Sequence, residues 1–382
     1  MRTESITRTS FAMRTKFAMR TKFAMKLYIF PLMICALFVF AGCQPKANDQ
    51  LEVTTISSSG PTPTEPPSRF KPIEDDNRPK LVPDPLSGLP VTEDVASSRP
   101  FAVIINNHTK ARPQSGLAQA SIIYEALAEG NITRMLAVFH YFDTQKIGPI
   151  RSARDYYIDF ALDYDAVFVH HGGSPQAYDM LDELGIAELD GMSLARTFWR
   201  DPKRVQIPGM YEHSSYSGHD LMVEAAAGKG FRTTTDKAVG FMFYGELTEL
   251  ADASPATYVS VPFAEAYGVS FEYRDNLYYK FIDGEPQIDA ETGLQLAAAN
   301  VIIQYANINL IAGDSAGRRE VDIIGSGDAT LITAGGYANI NWEKADHFAH
   351  TRWTHQNGQE IVLNMGLTWI CVVSPTTPTE IS

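Results

Sequence analysis

Side chains that could bind an anion are concentrated in one short segment, GPIRSARD, at residues 148–155. Arg151 and Arg154 flank Ser152, and the apolar-periodic run that follows predicts a helix capped near Ser152. The first turn of a helix carries free N–H groups and the positive end of the helix dipole, so it usually holds acidic residues. Two guanidinium groups there, with Asp155 beside them, predict a place where phosphate or carboxylate binds.

Neighbouring strands supply further charged side chains. Arg134 projects from the otherwise apolar run ITRMLAVF, and Glu125 and Glu129 share one face of the preceding strand because their spacing is even. These residues allow two interpretations. An external anion could occupy a solvent-open arginine pocket, or the carboxylates could neutralise buried arginines that brace the sheet against the helix.

A polar loop, NNHTKARPQSG at residues 106–116, follows the buried strand FAVIIN. Ligands of α/β sheets usually lie at the carboxyl ends of strands, which makes Asn106, Arg112 and Gln114 candidate binding residues. The alternative is a polar turn whose groups are satisfied within the protein.

The segment HHGGSP begins a second strand-to-helix junction, with His170 and His171 before Gly172 and Gly173. Glycines allow close approach of a ligand, and the helix start behind them favours negative charge. Adjacent strand residues point to opposite faces, so the two histidines do not form a metal pair, and a core histidine is the alternative. We predict no metal and no other cofactor.

Two domains are expected to position these residues, in an α+β fold overall. Strands interleaved with helices at 84–250 predict a layered α/β domain with a mixed sheet. Short β-branched and aromatic runs at 251–375 predict a mainly antiparallel β domain, and residues 376–382 are expected to fray. One helix is marked by Ser174 as N-cap and Gly185 as its stop.

The N-terminal part reads as an export and anchoring segment. An apolar run, residues 27–41, follows Lys26 and has the length of a signal-peptide core. It ends in FAGC, which is similar to a bacterial lipobox, so we predict a signal peptide at 1–42 and lipidation, with a palmitate-type acyl chain, at Cys43. A cleaved peptide without lipid is the alternative. The FAMRTK repeat upstream makes Met25 a plausible start, and the Pro- and Ser-rich residues 43–83 predict a disordered tether.

Composition excludes one class of partner. The chain has 32 Lys and Arg against 45 Asp and Glu, a net charge of −13. The exported part is more acidic, because the first 42 residues carry seven basic residues and one acidic residue away with the signal peptide. Nucleic-acid affinity depends on neutralising phosphates, so we predict no nucleic-acid binding.

Several motifs together resemble the YerB-like lipoprotein family of Gram-positive bacteria, defined by a domain of unknown function with N- and C-terminal halves. They are DPLSGLP, the run from RPFAVIINN to RMLAVF, GPIRSARD, HHGGSP, NVIIQY, GSGDATLITAGG and GLTWICVV. Ser121 stands where this family usually has an acidic residue. The resemblance implies a two-domain lipoprotein of the cell surface and implies no reaction.

Three functions remain open from the sequence. The first is a binding module, held at the outer face of the cell membrane by its lipid, for an anionic envelope polymer or a surface protein. The second is an envelope enzyme acting on a phosphorylated glycan or lipid, since strands followed by an Arg-Arg-Asp segment and a helix are similar to LytR-CpsA-Psr phosphotransferases. The third is a purely structural protein. The oligomeric state is not predicted.

Overall fold

The computed structural model describes residues 80–235 and 240–382. The predictions for the signal peptide, for Met25 and Cys43 and for the tether up to residue 79 therefore lie outside the described residues. The described part belongs to one compact unit, residues 74–382.

The first half of the described chain alternates strands and helices, as the sequence predicts. Its strands are β1 (Leu81–Pro83), β2 (Pro90–Thr92), β3 (Phe101–Asn106), β4 (Ile122–Glu129), β5 (Ile132–Phe139), β6 (Val167–His170), β7 (Glu188–Asp190), β8 (Trp199–Arg200), β9 (Ser215–Tyr216) and β10 (Met242–Phe243). Its α-helices are α1 (Glu93–Ala96), α2 (Asp155–Leu162), α3 (Pro175–Leu184), α4 (Pro202–Val205) and α5 (His219–Gly228). Helix α3 has the predicted ends, because the Ser174 side chain accepts from the Ala177 N–H and Gly185 is left-handed at φ 61°.

The second half forms strands and no described α-helix. They are β11 (Ser254–Pro255), β12 (Tyr258–Ala264), β13 (Tyr267–Arg274), β14 (Leu277–Ile282), β15 (Glu285–Pro286), β16 (Ala297–Ala298), β17 (Asn300–Tyr305), β18 (Ile308–Leu310), β19 (Arg319–Val321), β20 (Gly325–Thr333), β21 (Gly336–Lys344), β22 (Arg352–His355), β23 (Val362–Leu363), β24 (Thr368–Val373) and β25 (Glu380–Ile381). The molecule is thus richer in strand than an evenly layered α/β domain would be.

One mixed sheet runs through both halves, in the order β11-β21-β20-β17-β24-β4-β5-β3-β6-β7, with β22 on β21. The halves join where β24 pairs in parallel with β4. Strands β17, β24, β4, β3, β6 and β7 run in the same direction, so their carboxyl ends lie along one side, which we call the carboxyl edge. The predicted mixed sheet is confirmed, and the predicted antiparallel pairing dominates the second half.

Both faces of this sheet are covered, which explains the uninterrupted apolar strands. On one face, Ile104 and Leu136 pack with the helix α2 residue Phe160. On the other face, Ile105 and Met135 belong to the same cluster as residues of an antiparallel sheet in the order β15-β14-β13-β12-β25, with β16 on β14. Alternate residues of each central strand therefore contribute to two different cores.

The expectation that residues 376–382 fray is wrong. Strand β25 pairs with β12, and the Ser382 carbonyl accepts from the N–H groups of Thr257 and Tyr258 at 2.6 and 2.8 Å. Ile381 also packs against the core. Three threonines and a proline made the tail look unstructured, but backbone pairing with an open strand edge does not require a distinctive side-chain pattern.

Candidate functional site

The segment 148–155 crosses the carboxyl edge as extended chain before it becomes helical. Ile150 bridges to Ile105, the Arg151 N–H donates to the Ile104 carbonyl, and the Ser152 hydroxyl donates to the His171 carbonyl at 3.1 Å. Helix α2 therefore begins at Asp155, and the prediction of a start near Ser152 was wrong by three residues. The pairing with the ends of β3 and β6 outweighs local capping and separates the two arginines.

Arg134 and Arg154 meet at one carboxylate, and we call this group, with Glu129, the arginine brace. Nη2 of Arg134 donates to both Glu129 carboxylate oxygens, at 2.7 and 2.9 Å, and Nη2 of Arg154 forms an ion pair with the same carboxylate. Their remaining Nη1 atoms donate to the backbone carbonyls of Ser152 and Ala153. Both arginine side chains are only 6% exposed. This burial agrees with the interpretation of an internal brace and disagrees with that of a solvent-open pocket.

Burial dominates the electrostatics of the brace. Removal from water lowers the pKa of Arg134 to about 10, and it also lowers the pKa of Arg154. Two cations share the single Glu129 carboxylate, and Nε of Arg154 has no hydrogen-bond partner among the described residues. The brace is therefore held by a carboxylate whose loss would leave two buried charges uncompensated.

Arg151 lies apart from the brace, in a half-open cluster that we call the histidine–arginine edge: His108, Arg151, His171, Glu212 and His213. Nη2 of Arg151 bonds Oε2 of Glu212 at 2.5 Å. The Arg151 side chain is 27% exposed and that of Glu212 is 66% exposed. This pair therefore faces water, where an exposed ion pair contributes little stability and other anions can compete.

Two stacked histidines form one side of this edge. The rings of His108 and His213 lie 4.7 Å apart at 25°, and Nδ1 of His213 accepts from the Asn106 amide at 2.8 Å. Burial, with the charges of His108 and Arg151, lowers the pKa of His213 to about 4. Burial, followed by the charges of Lys110, Arg112 and Arg151, lowers the pKa of His108. Both rings are therefore neutral at pH 7, and the charge of Arg151 acts on both of them.

His171 closes the edge on the β6 side. Its Nδ1 lies 2.7 Å from the Ser215 hydroxyl, and its Nε2 lies 3.4 Å from Nη2 of Arg200. Arginine only donates, so Nε2 accepts and Nδ1 carries the proton that it shares with Ser215. In this tautomer, the His171 Nδ1–H donates to the Ser215 hydroxyl oxygen. Burial, with the Arg200 charge, lowers its pKa.

His170 is a core residue in a hydrogen-bonded relay. Its Nε2 lies 2.6 Å from Glu188 and its Nδ1 lies 2.9 Å from the Gly172 carbonyl. His170, Glu188 and Asp190 bring ligand atoms within 4.8 Å of one another. Glu188 is paired with Nε2 and Asp190 lies 3.8 Å from Nδ1, and Asp190 also accepts from the Gly172 N–H at 2.8 Å, so each of the three groups has hydrogen-bond partners within the protein.

The glycines of HHGGSP make contacts within the protein. Gly172 (φ 78°) donates to Asp190, and its carbonyl accepts from the Ala153 N–H as well as from His170. A Cβ at Gly173 would lie 3.3 Å from the Tyr178 ring. The two glycines do allow other groups to approach the backbone closely, as predicted, but these groups are Asp190 and Tyr178 of the protein and not a ligand.

Glu125 lies in a sealed network between the two halves. Its carboxylate is 3.2 Å from Nζ of Lys280, 2.5 Å from the Tyr267 hydroxyl and 3.2 Å from Nε1 of Trp369. Burial lowers the pKa of Lys280, and the Glu125 charge opposes this shift. Glu125 and Glu129 therefore lie in different networks, and the prediction that they share one face is wrong. The pairing register of β4 shifts between Leu127 and Glu129, and this irregularity interrupts the alternation on which the prediction relied.

The polar loop after β3 is satisfied by this network. The Gln114 amide donates to Asn107 Oδ1 at 2.9 Å, and its oxygen accepts from Gln287 at 3.2 Å. Arg112 donates to the Asn107 carbonyl at 3.0 Å, with its guanidinium 5.4 Å from the Tyr267 ring. Gln114 and Arg112 match the alternative of an internally satisfied turn, whereas Asn106 reaches the histidine–arginine edge.

Asp155 borders an acidic groove of about 1160 Å³ beside helix α2. Its carboxylates are Asp155, Asp159, Glu320, Asp322 and Asp328, and no lysine or arginine is among the described residues that line it. Burial raises the pKa of Asp159 to about 6 although His347 lies 2.6 Å away, and burial also raises the pKa of Asp155. An anion is repelled here, so Asp155 does not join Arg151 in one site.

Four residues of these networks were not predicted from the sequence: His108, Glu212, His213 and Lys280. His108 is part of the polar loop at 106–116, and the alternation in LYYKFI places Lys280 on the same face as Tyr278 and Ile282, which points into the core. No local sequence signal marks Glu212 or His213, because their loop reaches the histidine–arginine edge only through the tertiary fold.

Among the described helices, none is long and apolar enough to cross a membrane.

Comparison with known proteins places the chain in a family. Residues 86–232 match the N-terminal domain, and residues 259–370 the C-terminal domain, of the protein family of unknown function DUF3048. The chain is 33% identical over 310 residues to "Putative lipoprotein YerB" of Bacillus subtilis (strain 168), covering 77% of this chain and 87% of the relative. A crystal structure of the YerB protein from Bacillus subtilis superposes with a TM-score of 0.69 at 32% identity, covering 78% of this chain and 98% of that one. The chain therefore belongs to the DUF3048 family.

Proposed function

We propose that this protein is an extracytoplasmic lipoprotein, anchored at Cys43, that binds an anionic ligand of the cell envelope at the histidine–arginine edge. The name of its Bacillus subtilis relative and the FAGC sequence support the anchor. The ligand class is a phosphate or carboxylate, since the planar guanidinium fork matches both.

The half-open state of Arg151 carries the proposal. Arg134 and Arg154 are sealed on Glu129, whereas Arg151 has only the exposed Glu212 as its ion-pair partner among the described residues. The position is also the usual one for ligands of α/β sheets, next to the carboxyl ends of β3 and β6. Displacing a surface carboxylate from Arg151 costs about 0–1 kcal/mol, so a ligand anion can take its place.

The phosphotransfer alternative is less well supported. It requires Arg134, Arg151, Arg154 and Asp155 to converge in one solvent-open cleft. Two of these arginines are buried in the brace, and Asp155 borders the acidic groove. We therefore favour a binding module over an enzyme.

A thermal-shift experiment tests the proposal on residues 74–382, which form one compact unit. The probes are inorganic phosphate and glycerol phosphate oligomers, applied to wild type, Arg151→Ala and Arg352→Ala. Arg352 is the matched control, since it is an exposed arginine paired with Glu343 and Glu360 at 3.6 Å. A ligand at 100 times its Kd stabilises a folded protein by about 2.7 kcal/mol.

Wild type and the Arg352 variant should gain stability with at least one probe, and the Arg151 variant should not. Equal gains in all three proteins would mean nonspecific charge screening. No gain in wild type at millimolar probe would overturn the proposed site.

A further inference from the structure

An exposed loop next to the histidine–arginine edge is both apolar and basic. It comprises residues 202–212, PKRVQIPGMYE, between β8 and β9. Ile207 is 53% exposed and Tyr211 is 56% exposed, and Val205 is also exposed. Single exposed apolar residues are ordinary, but a cluster rimmed by polar groups marks an interaction surface.

Positive charge surrounds these apolar side chains. Lys203 and Arg204 belong to the loop, and Arg204 Nη1 donates to the Lys110 carbonyl at 2.9 Å. Lys110 Nζ lies 2.9 Å from where a Cβ would stand at Gly209, so this ammonium group sits against the loop. The guanidinium of Arg200 lies 4.0 Å from the Tyr211 ring centre.

The local balance of charge is opposite to that of the protein. The loop and its neighbours hold the cations Lys110, Arg151, Arg200, Lys203 and Arg204 against the carboxylates Asp201 and Glu212. The whole chain has a net charge of −13. Basic residues near an anionic lipid surface contribute about 1 kcal/mol each, and apolar and tyrosine side chains add affinity by entering the headgroup region.

From this combination we propose that the loop 202–212 docks on an anionic membrane surface, with Ile207 and Tyr211 in the headgroup region. The inference rests on the proposed function in one respect, because the anion that reaches Arg151 is then the phosphate of a lipid headgroup. A bilayer fits better than free phosphate, which would make no use of the exposed apolar side chains.

The length of chain between the anchor and the body permits this contact. About 37 residues separate Cys43 from Lys80, and at most roughly 3.3–3.6 Å per residue they reach about 120–130 Å. A body of this size is about 50 Å across. The anchored protein can therefore bring any of its surfaces, including this loop, to the bilayer.

Vesicle co-sedimentation of residues 74–382, which lack the anchor, tests the proposal. This part is one compact unit, and 98% of the solved relative's chain is matched by 78% of this one. Vesicles of phosphatidylcholine alone are compared with vesicles containing 30 mol% phosphatidylglycerol. We expect binding to the anionic vesicles only, weakened by 0.5 M salt through screening.

Loop variants separate docking from general attraction. Ile207→Ser with Tyr211→Ser should weaken vesicle binding at least tenfold, as should Lys110→Glu with Lys203→Glu. The control, Leu294→Ser with Leu310→Ser, removes two other exposed apolar side chains and should bind like wild type. Unchanged melting temperatures show that the variants fold.

Three results would overturn docking by this loop: no binding to anionic vesicles, equal binding to neutral ones, or full binding by both loop variants. The two proposals can fail separately. If vesicles bind but the phosphate probes give no Arg151-dependent shift, the loop proposal stands without the anion site. The reverse pattern leaves a site for a free anion and removes the membrane contact.

Discussion

The arginine brace and the histidine–arginine edge use the same side chain in opposite ways. Arg154 and Arg151 are three residues apart, and each pairs with one glutamate. In the brace, the arginines are 6% exposed and Glu129 is 23% exposed, whereas at the edge Arg151 is 27% exposed and Glu212 is 66% exposed. The difference is the amount of water that can reach the pair.

That difference decides what each arginine can do. In the brace, burial makes the ion pairs indispensable, because an unpaired guanidinium in the interior is costly. At the edge, water screens the Arg151–Glu212 pair, so its partner can be exchanged at small cost. An arginine-rich motif therefore contains both a structural element and a candidate binding group.

The largest expected difference between the two regions is the loss of stability when the glutamate of each one is replaced. Glu129→Gln leaves Arg134 and Arg154 buried without a carboxylate, and we expect it to lower the free energy of unfolding by about 3 kcal/mol. Glu212→Gln should change it by less than about 1 kcal/mol, because its pair is exposed. Urea unfolding of both variants measures the contrast. Equal losses would show that burial does not distinguish the two pairs.

The pH dependence of stability should reveal the neutral histidines at the edge. The pKa of His213 is lowered from 6.5 to about 4, so the unfolded chain binds more protons than the folded one between these values. The contribution of the neutral His213 to the free energy of unfolding is therefore complete above about pH 6.5, and it is lost as the pH falls toward 4. Asp159, with its pKa raised to about 6, acts in the opposite direction in an overlapping range.

The comparison of wild type with His213→Asn isolates this contribution. The stability advantage of wild type over the variant should shrink between pH 6.5 and 4, as followed by thermal unfolding. Parallel curves would show that His213 does not titrate with a lowered pKa.

The smallest expected effect is on affinity at the edge. Glu212→Gln removes the carboxylate that competes for Arg151, and this should strengthen binding of a phosphate probe about two- to fivefold, equivalent to an exposed ion pair. Titration calorimetry against wild type measures it. Weaker binding by the variant would mean that Glu212 positions Arg151 and does not compete with the ligand.

Local sequence signals predicted those elements that depend on neighbours along the chain. The Ser174 cap, the Gly185 stop and the adjacent strands β4 and β5 follow from such signals, and they are confirmed. The predicted start of α2 was wrong because residues 150–153 pair with strands that are distant in sequence. The prediction that the tail frays was wrong because the tail pairs with the open edge of β12, which lies more than a hundred residues away in the chain.

By itself, the sequence determined the membership of the DUF3048 family, the mixed sheet and the antiparallel pairing of the second half, and it singled out the arginines of GPIRSARD as candidates. Only the tertiary structure decided which arginine is sealed and which is half open, and it alone brought Glu212, His213 and His108 to Arg151. The physical reason is that burial depends on packing between segments far apart in the chain. Residue type sets the charge, but the surrounding fold sets how much water screens it and so whether it stabilises the protein or stays available to a ligand.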